Sequence, residues 1–352
     1  MTTMLALQVH GAEDMPVVSI DRPTPKADEV LIEVAYCGIC GSDFPRYFDG
    51  AVHSTPQTLG HEFSGVVVEV GEDVSGIDIG KRVAVAPLVP CGKCEMCEAG
   101  RLALCTSYSF IGSRQQGGLA EFVTVPARNV VALPDAVSLR DAALIEPLSV
   151  ALHGIDRADL NGVSTAMVFG SGVIGLLTVT ALKAKGIDHV IAVDVQPEKL
   201  ELAQRLGADD VVLGSEVENY IAQHGHPELS IETAGHPATQ VQAVEFTANA
   251  GQVVFVGTCT RPVSFDPKQF ERILRGELRL TGSWMSYSAP FPGSEWSDAV
   301  SMIADGSLNV SSLVSEEYEL SDAGRVFDDV KQSGGSMLKV LYRIRGEDQG
   351  EQ

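Results

Sequence analysis

Cys91, Cys94, Cys97 and Cys105 form a C-x2-C-x2-C-x7-C pattern on one short stretch. Four thiolates close a tetrahedral site and leave no open position, so this spacing predicts a structural zinc that holds a surface lobe together. Cys37, Cys40 and Cys259 are scattered. Gly170-Ser171-Gly172-Val173-Ile174-Gly175 is a G-x-G-x-x-G directly after an apolar run and at the start of a helical one. Its glycines let the backbone approach a pyrophosphate, whose charge then sits at the positive end of the helix. Asp194 ends the next apolar run, where a carboxylate binds both hydroxyls of an adenosine ribose and repels a 2'-phosphate, so NAD is expected over NADP. The expected cofactor-binding residues are Gly170, Gly172, Val173, Ile174, Gly175 and Asp194, with Lys199 on the following helix.

A third group is dispersed over Cys40-Gly41-Ser42-Asp43, Gly60-His61-Glu62 and Glu146-Pro147. A thiolate, an imidazole and a carboxylate from separate segments, with water or substrate completing the shell, describe a catalytic zinc with an exchangeable position. No spacing rule ties these segments together. Taken singly, Cys40 is more often a buried small hydrophobe, His61 a satisfied core histidine and Glu146 a solvated acid.

The elements that must position these groups change character along the chain. From Leu5 to Val137, short β-rich runs such as Val30 to Tyr36, Gly65 to Val70 and Arg82 to Ala86 alternate with Gly, Pro and Asp, the texture of a barrel-like β domain with long loops. From about Leu160, apolar strands alternate with helical stretches: Ala166 to Phe169, Val173 to Lys185, Val190 to Val193, Pro197 to Leu206, Leu229 to Glu232 and Gln252 to Val256. That alternation implies an α/β domain, a parallel sheet with helices on both faces. It fades after Trp284, leaving helical stretches at Glu295 to Ala304 and Ala323 to Gln332 and a strand at Lys339 to Tyr342. The uncharged run Leu160 to Leu182 is long enough to span a membrane, but Gly162, Gly170, Gly172 and Gly175 interrupt it, so a strand, a turn and a buried helix are expected instead.

A length of 352 residues suggests two domains. With 25 Lys plus Arg against 47 Asp plus Glu the formal charge is -22, which argues against nucleic-acid partners and requires a local basic patch for any anionic ligand; no membrane partner is expected either, the one long uncharged run being broken by glycines. Met1 to Asp14 lacks a basic segment followed by an apolar run, so the cytosol is expected, and its reducing conditions favour metal over disulfides at the cysteine cluster. The acidic Gly346 to Gln352 tail is expected to fray.

Cys40 to Asp43, Gly60 to Gly65 (GHEFSG), the four-cysteine lobe, Gly117 to Phe122 (GGLAEF), Glu146 to Ser149 (EPLS) and the Gly170 to Gly175 loop together resemble the zinc-dependent medium-chain alcohol and polyol dehydrogenases. The resemblance runs from about Pro25 to Tyr342. Phe110 to Arg114, Thr258 and Ile273 to Trp296 resemble members that act on polyol phosphates such as galactitol 1-phosphate, while Ala208 to Ser230 departs from them. The resemblance implies a GroES-like catalytic domain with the zinc lobe over residues 1–152, a Rossmann doubly wound NAD domain over 153–288, and a return to the catalytic domain over 289–352. The active site is expected in the cleft between the domains.

By the same resemblance each chain carries two zincs, the catalytic one on Cys40 and His61 with Glu62 and Glu146 as carboxylates that can exchange. Asp43 orients the histidine. Ser42 contacts the substrate oxygen and passes its proton on, so Ser42, Asp43 and Glu62 are the expected catalytic residues. Pro45 stands where classical alcohol dehydrogenases carry a relay histidine, which sends the proton through water or another group. Arg46 and Arg114 are expected to grip the substrate phosphate, with Lys268 and Arg272 as weaker candidates and His53 as a structural or loop residue. An unphosphorylated polyol or a 2,3-diol is the alternative substrate. The relatives suggest a homodimer or homotetramer.

Overall fold

Glu29–Gly38, read EVLIEVAYCG, carries apolar side chains on both faces and is buried along nearly its whole length, which marks it as a central strand. In the computed structural model, which describes residues 2–345, this strand organises the first of two units. One edge pairs antiparallel with Glu62–Val70. The other edge is divided: Phe122–Pro126 pairs with its first half and Lys339–Arg343 with its second. The sheet continues outward through Arg82–Val85 and Val130–Ala132 on one side and through Val314–Glu319 on the other. A smaller sheet joins Thr3–Val9 to Val17–Asp21 and Gln57–Thr58. Val30, Ile32, Val34, Phe63, Val67, Phe327 and Tyr342 fill the core, each large side chain stabilising the fold by about 1.5–3 kcal/mol through burial.

The chain after Tyr287 returns to this unit because Lys339–Arg343, four of whose five residues are buried, has its place beside Glu29–Gly38. The first unit thus takes the chain up to Glu146 and from Tyr287 onward, and Pro147–Ser286 forms the second. Helix Ile145–Ile155 contains the first break.

The second unit is a six-stranded parallel sheet in the order Asp210–Leu213, His189–Asp194, Thr165–Phe169, Leu229–Glu232, Gln252–Phe255, Arg279–Gly282. Strand order reverses at Thr165–Phe169, the point outside whose carboxyl ends open α/β sheets bind ligands. The uncharged run from Leu160 resolves into strand Thr165–Phe169, a glycine turn and helix Val173–Ala184. Among the described residues, no helix is long and apolar enough to cross a membrane. The acidic stretch 346–352 lies outside the described residues.

Candidate functional site

Register brings the dispersed group together. Gly38 pairs with Glu62 across the Glu29–Gly38 and Glu62–Val70 strands, so Cys40, two residues beyond Gly38, arrives beside His61 and Glu62. One ligand atom from each of these three side chains lies within 4.8 Å of the others. Gly60 turns the chain into His61 with φ 95°, and a Cβ there would lie 2.5 Å from the Cys37 sulfur and 2.9 Å from the Leu119 nitrogen. Only glycine fits.

His61 is 5% exposed and its Nδ1 has no hydrogen-bond partner. Oδ1 of the buried Asp43 stands 3.7 Å from that nitrogen, beyond hydrogen-bond reach. A core histidine satisfied by its surroundings would not leave a buried nitrogen unpaired. Oδ2 of Asp43 accepts the Cys40 N–H at 3.1 Å. Burial, with the negative charges of Glu62 and Asp43 adding to it, pushes the Cys40 thiol up to about 11. Burial likewise raises Glu146 to about 8 against the pull of His61, and Glu62 and Cys40 push it the same way. The Cys40 thiol and the Glu146 carboxyl, both held against ionising, stand with His61 and Glu62 as a donor set that a divalent cation would satisfy. Zinc fits this set.

Lys339, which sequence reasoning overlooked, completes the surroundings. Leu341 pairs with Gly38, and this register carries Lys339 to the end of the strand where Cys40 and Glu62 meet. Its Nζ donates to Glu62 Oε2 at 2.5 Å and to the Ile39 carbonyl at 3.0 Å, with both side chains buried. Burial lowers the lysine's pKa, but Glu62 and Cys40 outweigh it and the net shift is upward. Glu62 therefore offers a cation its free oxygen, or its bonded one in exchange for Lys339.

Ser42 is exposed on the turn Gly41–Asp43. Arg46, on the short helix Phe44–Phe48, donates from Nη1 to the Ser42 carbonyl at 2.7 Å, to Ser42 Oγ at 3.0 Å and to Asp43 Oδ1 at 3.0 Å. Arg114 is exposed, with its guanidinium 4.5 Å above the Tyr108 ring. Two residues beyond Tyr108, the Phe110 ring meets His61 edge-on with centroids 5.7 Å apart. His53 is exposed on its loop. Arg272 bonds the Thr247 carbonyl and Asn249 within its own unit, and Lys268 is exposed.

The four-cysteine lobe is gathered by the turns around helix Glu95–Glu98. Its sulfurs lie 3.5 Å apart for Cys94 and Cys97, 3.9 Å for Cys94 and Cys105, and 4.0 Å for Cys91 and Cys97. Tetrahedral zinc with bonds of about 2.3 Å sets sulfur–sulfur edges of about 3.8 Å, whereas a disulfide needs about 2.05 Å. Backbone N–H groups of Thr106 and Cys97 bring the Cys94 thiol down to about 5, while burial and the Cys94 sulfur push Cys97 up to about 12. This geometry also fits zinc.

In the second unit, Gly170 to Gly175 leaves Thr165–Phe169 and enters Val173–Ala184. A Cβ on Gly175 would lie 1.8 Å from the Gly170 carbonyl oxygen, so helix and loop close together only with glycine. Asp194 accepts the Ser171 N–H at 2.7 Å and the Gln196 N–H at 2.9 Å, which joins the end of its strand to the glycine loop. Lys199 is half-buried on helix Pro197–Arg205. Glu232 was also overlooked, although an acid ending the apolar run Leu229 to Glu232 was a visible signal. It is fully buried, accepts from the Gly235 N–H at 2.9 Å and the Thr239 hydroxyl at 2.7 Å, and so braces the loop after its strand.

Residues 26–135 match the alcohol dehydrogenase GroES-like domain and residues 173–305 the zinc-binding dehydrogenase family. The chain is 37% identical over 320 residues to galactitol 1-phosphate 5-dehydrogenase of Escherichia coli (strain K12), covering 89% of this chain and 92% of that one. The chain belongs to the zinc-dependent medium-chain alcohol and polyol dehydrogenases. Sorbitol dehydrogenase of Bombyx mori is 31% identical over 358 residues, covering 98% of this chain and all of its own. The crystal structure of galactitol-1-phosphate dehydrogenase from Escherichia coli matches with a TM-score of 0.91 at 35% identity, covering 97% of this chain and 100% of that one. A zinc-binding dehydrogenase of Sinorhizobium meliloti 1021 bound to NADP matches with a TM-score of 0.88 at 32% identity, covering 98% and 100%. This dehydrogenase is an oxidoreductase whose fold pairs a GroES-like unit with a Rossmann unit.

Proposed function

We propose that this dehydrogenase oxidises galactitol 1-phosphate at carbon 5 to tagatose 6-phosphate: the secondary alcohol loses a hydride to NAD and a proton to solvent, giving ketone and NADH. The observation that carries the phosphate reading is the loop on which Arg114 stacks over Tyr108 while Phe110 contacts His61. It links an exposed guanidinium to the candidate metal centre, and a phosphate dianion meeting a chain of formal charge -22 needs such a local cation. Arg114 is our phosphate ligand. Steady-state kinetics with NAD on galactitol 1-phosphate, galactitol and sorbitol test the reading. The phosphorylated substrate should have the highest kcat/KM, and Arg114→Ala should lower it about ten- to a hundredfold with little effect on the free polyols. Equal turnover of all three would pass the assignment to an unphosphorylated polyol or diol, the reading favoured by the likeness to sorbitol dehydrogenase.

Cys40 and His61, with Glu62 or Glu146, would hold the catalytic zinc, and Cys91, Cys94, Cys97 and Cys105 a second, structural one. When bound, zinc would supply charge stabilisation at the substrate oxygen and NAD would supply the hydride acceptor. Ser42 takes the substrate proton and passes it to water, Pro45 offering no relay, and Asp43 fixes the His61 ring. Because thiols held at about 11 and 12 must ionise to bind metal, zinc loading of metal-free protein should release protons and tighten as pH rises. Calorimetry in buffers of different ionisation enthalpy measures this. Proton-neutral, pH-independent uptake would remove Cys40 and Cys97 from the ligand sets.

Gly170, Gly172, Val173, Ile174 and Gly175 would cradle the pyrophosphate, with Asp194 on the adenosine ribose and Lys199 beside it. Asp194 favours NAD over the NADP held by the Sinorhizobium relative. Asp194→Ala should weaken NAD and narrow its advantage in kcat/KM over NADP. A higher kcat/KM with NADP in the unmodified enzyme would reverse the cofactor assignment. We place the enzyme in the cytoplasm as a homodimer or homotetramer. The exposed Leu280 and Trp284, on and just after the edge strand Arg279–Gly282, support assembly, which light scattering would detect.

A further inference from the structure

We infer that Arg46 is a positioning residue that fixes the direction of the Ser42 hydroxyl, an inference that rests on Ser42 handling the substrate proton. A single nitrogen, Nη1, lies within 3.0 Å of the Ser42 carbonyl, Ser42 Oγ and Asp43 Oδ1. The spacing explains the geometry, because residues three and four apart share one face of a helical turn and Arg46 follows Asp43 and Ser42 by those steps. An N–H donated to Oγ occupies one lone pair of that oxygen. The hydroxyl hydrogen and the other lone pair must then point away from Arg46.

On its other side the Ser42 hydroxyl hydrogen-bonds the Cys40 side chain, so Arg46 and Cys40 together fix its direction, which has a rate consequence when that group moves a proton. A guanidinium suits this task because it stays charged and does not join the relay as an acid or base. Pro45 has no side-chain donor that could replace it. The same nitrogen binds Asp43, whose other oxygen holds the Cys40 N–H. Arg46 thus ties Ser42, Asp43 and Cys40 into one turn. A nitrogen already shared among three internal acceptors is poorly available to a substrate phosphate.

Zinc-loaded Arg46→Ala and Arg46→Lys enzymes test the inference on galactitol 1-phosphate and on a free polyol, with Ser42→Ala as reference. Ser42→Ala should lower kcat on both substrates. Arg46→Ala should lower kcat about ten- to a hundredfold on both, with KM changed less than about threefold and with NADH affinity and zinc content unchanged. Added guanidinium ion should restore about tenfold to Arg46→Ala and nothing to the unmodified enzyme. Arg46→Lys keeps a positive charge on Asp43 and serves if the alanine variant loses metal or fold; it should also lose kcat and keep KM.

A loss confined to KM for the phosphorylated substrate would overturn the inference and make Arg46 a phosphate ligand. Unchanged kcat in both arginine variants beside a damaged Ser42→Ala enzyme would also overturn it. Unchanged kcat in Ser42→Ala would instead refute the serine's proton role, and equal turnover of phosphorylated and free polyols would refute only the substrate assignment.

Discussion

Cys40→Ala should abolish turnover while leaving NADH binding near its unmodified affinity. Cys40 is the one thiol in the trio with His61 and Glu62, whereas the glycine loop and Asp194 belong to the other unit. Loss of a metal that stabilises charge by several kcal/mol lowers kcat on the order of 10^3- to 10^5-fold. Zinc content should fall by one per chain, with the four-cysteine lobe still loaded. NADH fluorescence titration and metal analysis of the same sample check both halves. Retained turnover would remove Cys40 from the reaction.

Lys339→Met should give the second large effect, on stability. The lysine and Glu62 are both buried, and removing one partner leaves an uncompensated charge at a cost of about 3–5 kcal/mol. The thermal midpoint should fall clearly in the single variant and recover in Lys339→Met/Glu62→Gln, because the second change removes the orphaned charge. Glu62→Gln alone should also be unstable, since it strands the lysine. Additive losses in the double variant would show that the two side chains do not act as a pair.

What the amino-acid sequence revealed depended on how locally each feature is encoded. The cysteine lobe was legible because all four thiols stand on one stretch and their spacing carries the geometry. The inner strands of the parallel sheet were legible because Ala166 to Phe169 and Val190 to Val193 are continuous apolar runs, as strands covered on both faces must be. Asp210–Leu213 and Arg279–Gly282 were not. They form the two edges of that sheet, are less covered, and mix polar with apolar residues.

The trio of Cys40, His61 and Glu62 became visible only through resemblance, since its geometry follows from pairing between separate strands. Lys339 stayed hidden for the same reason at longer range, meeting Glu62 across 277 residues of chain. Arg46 is the instructive intermediate. Its spacing from Asp43 and Ser42 encodes the bonds it makes to both within one helical turn, whereas any contact with a substrate phosphate is decided by the kinetics of its variants.

The two-metal arrangement is tested most directly by zinc analysis during brief chelation, with activity and circular dichroism followed on the same sample. The closed four-thiolate site should hold its metal while the open one exchanges. About two zincs per chain are expected at the start; one should leave early and take the activity with it, while the fold persists. Full activity in well-folded protein with one zinc or none would contradict this account.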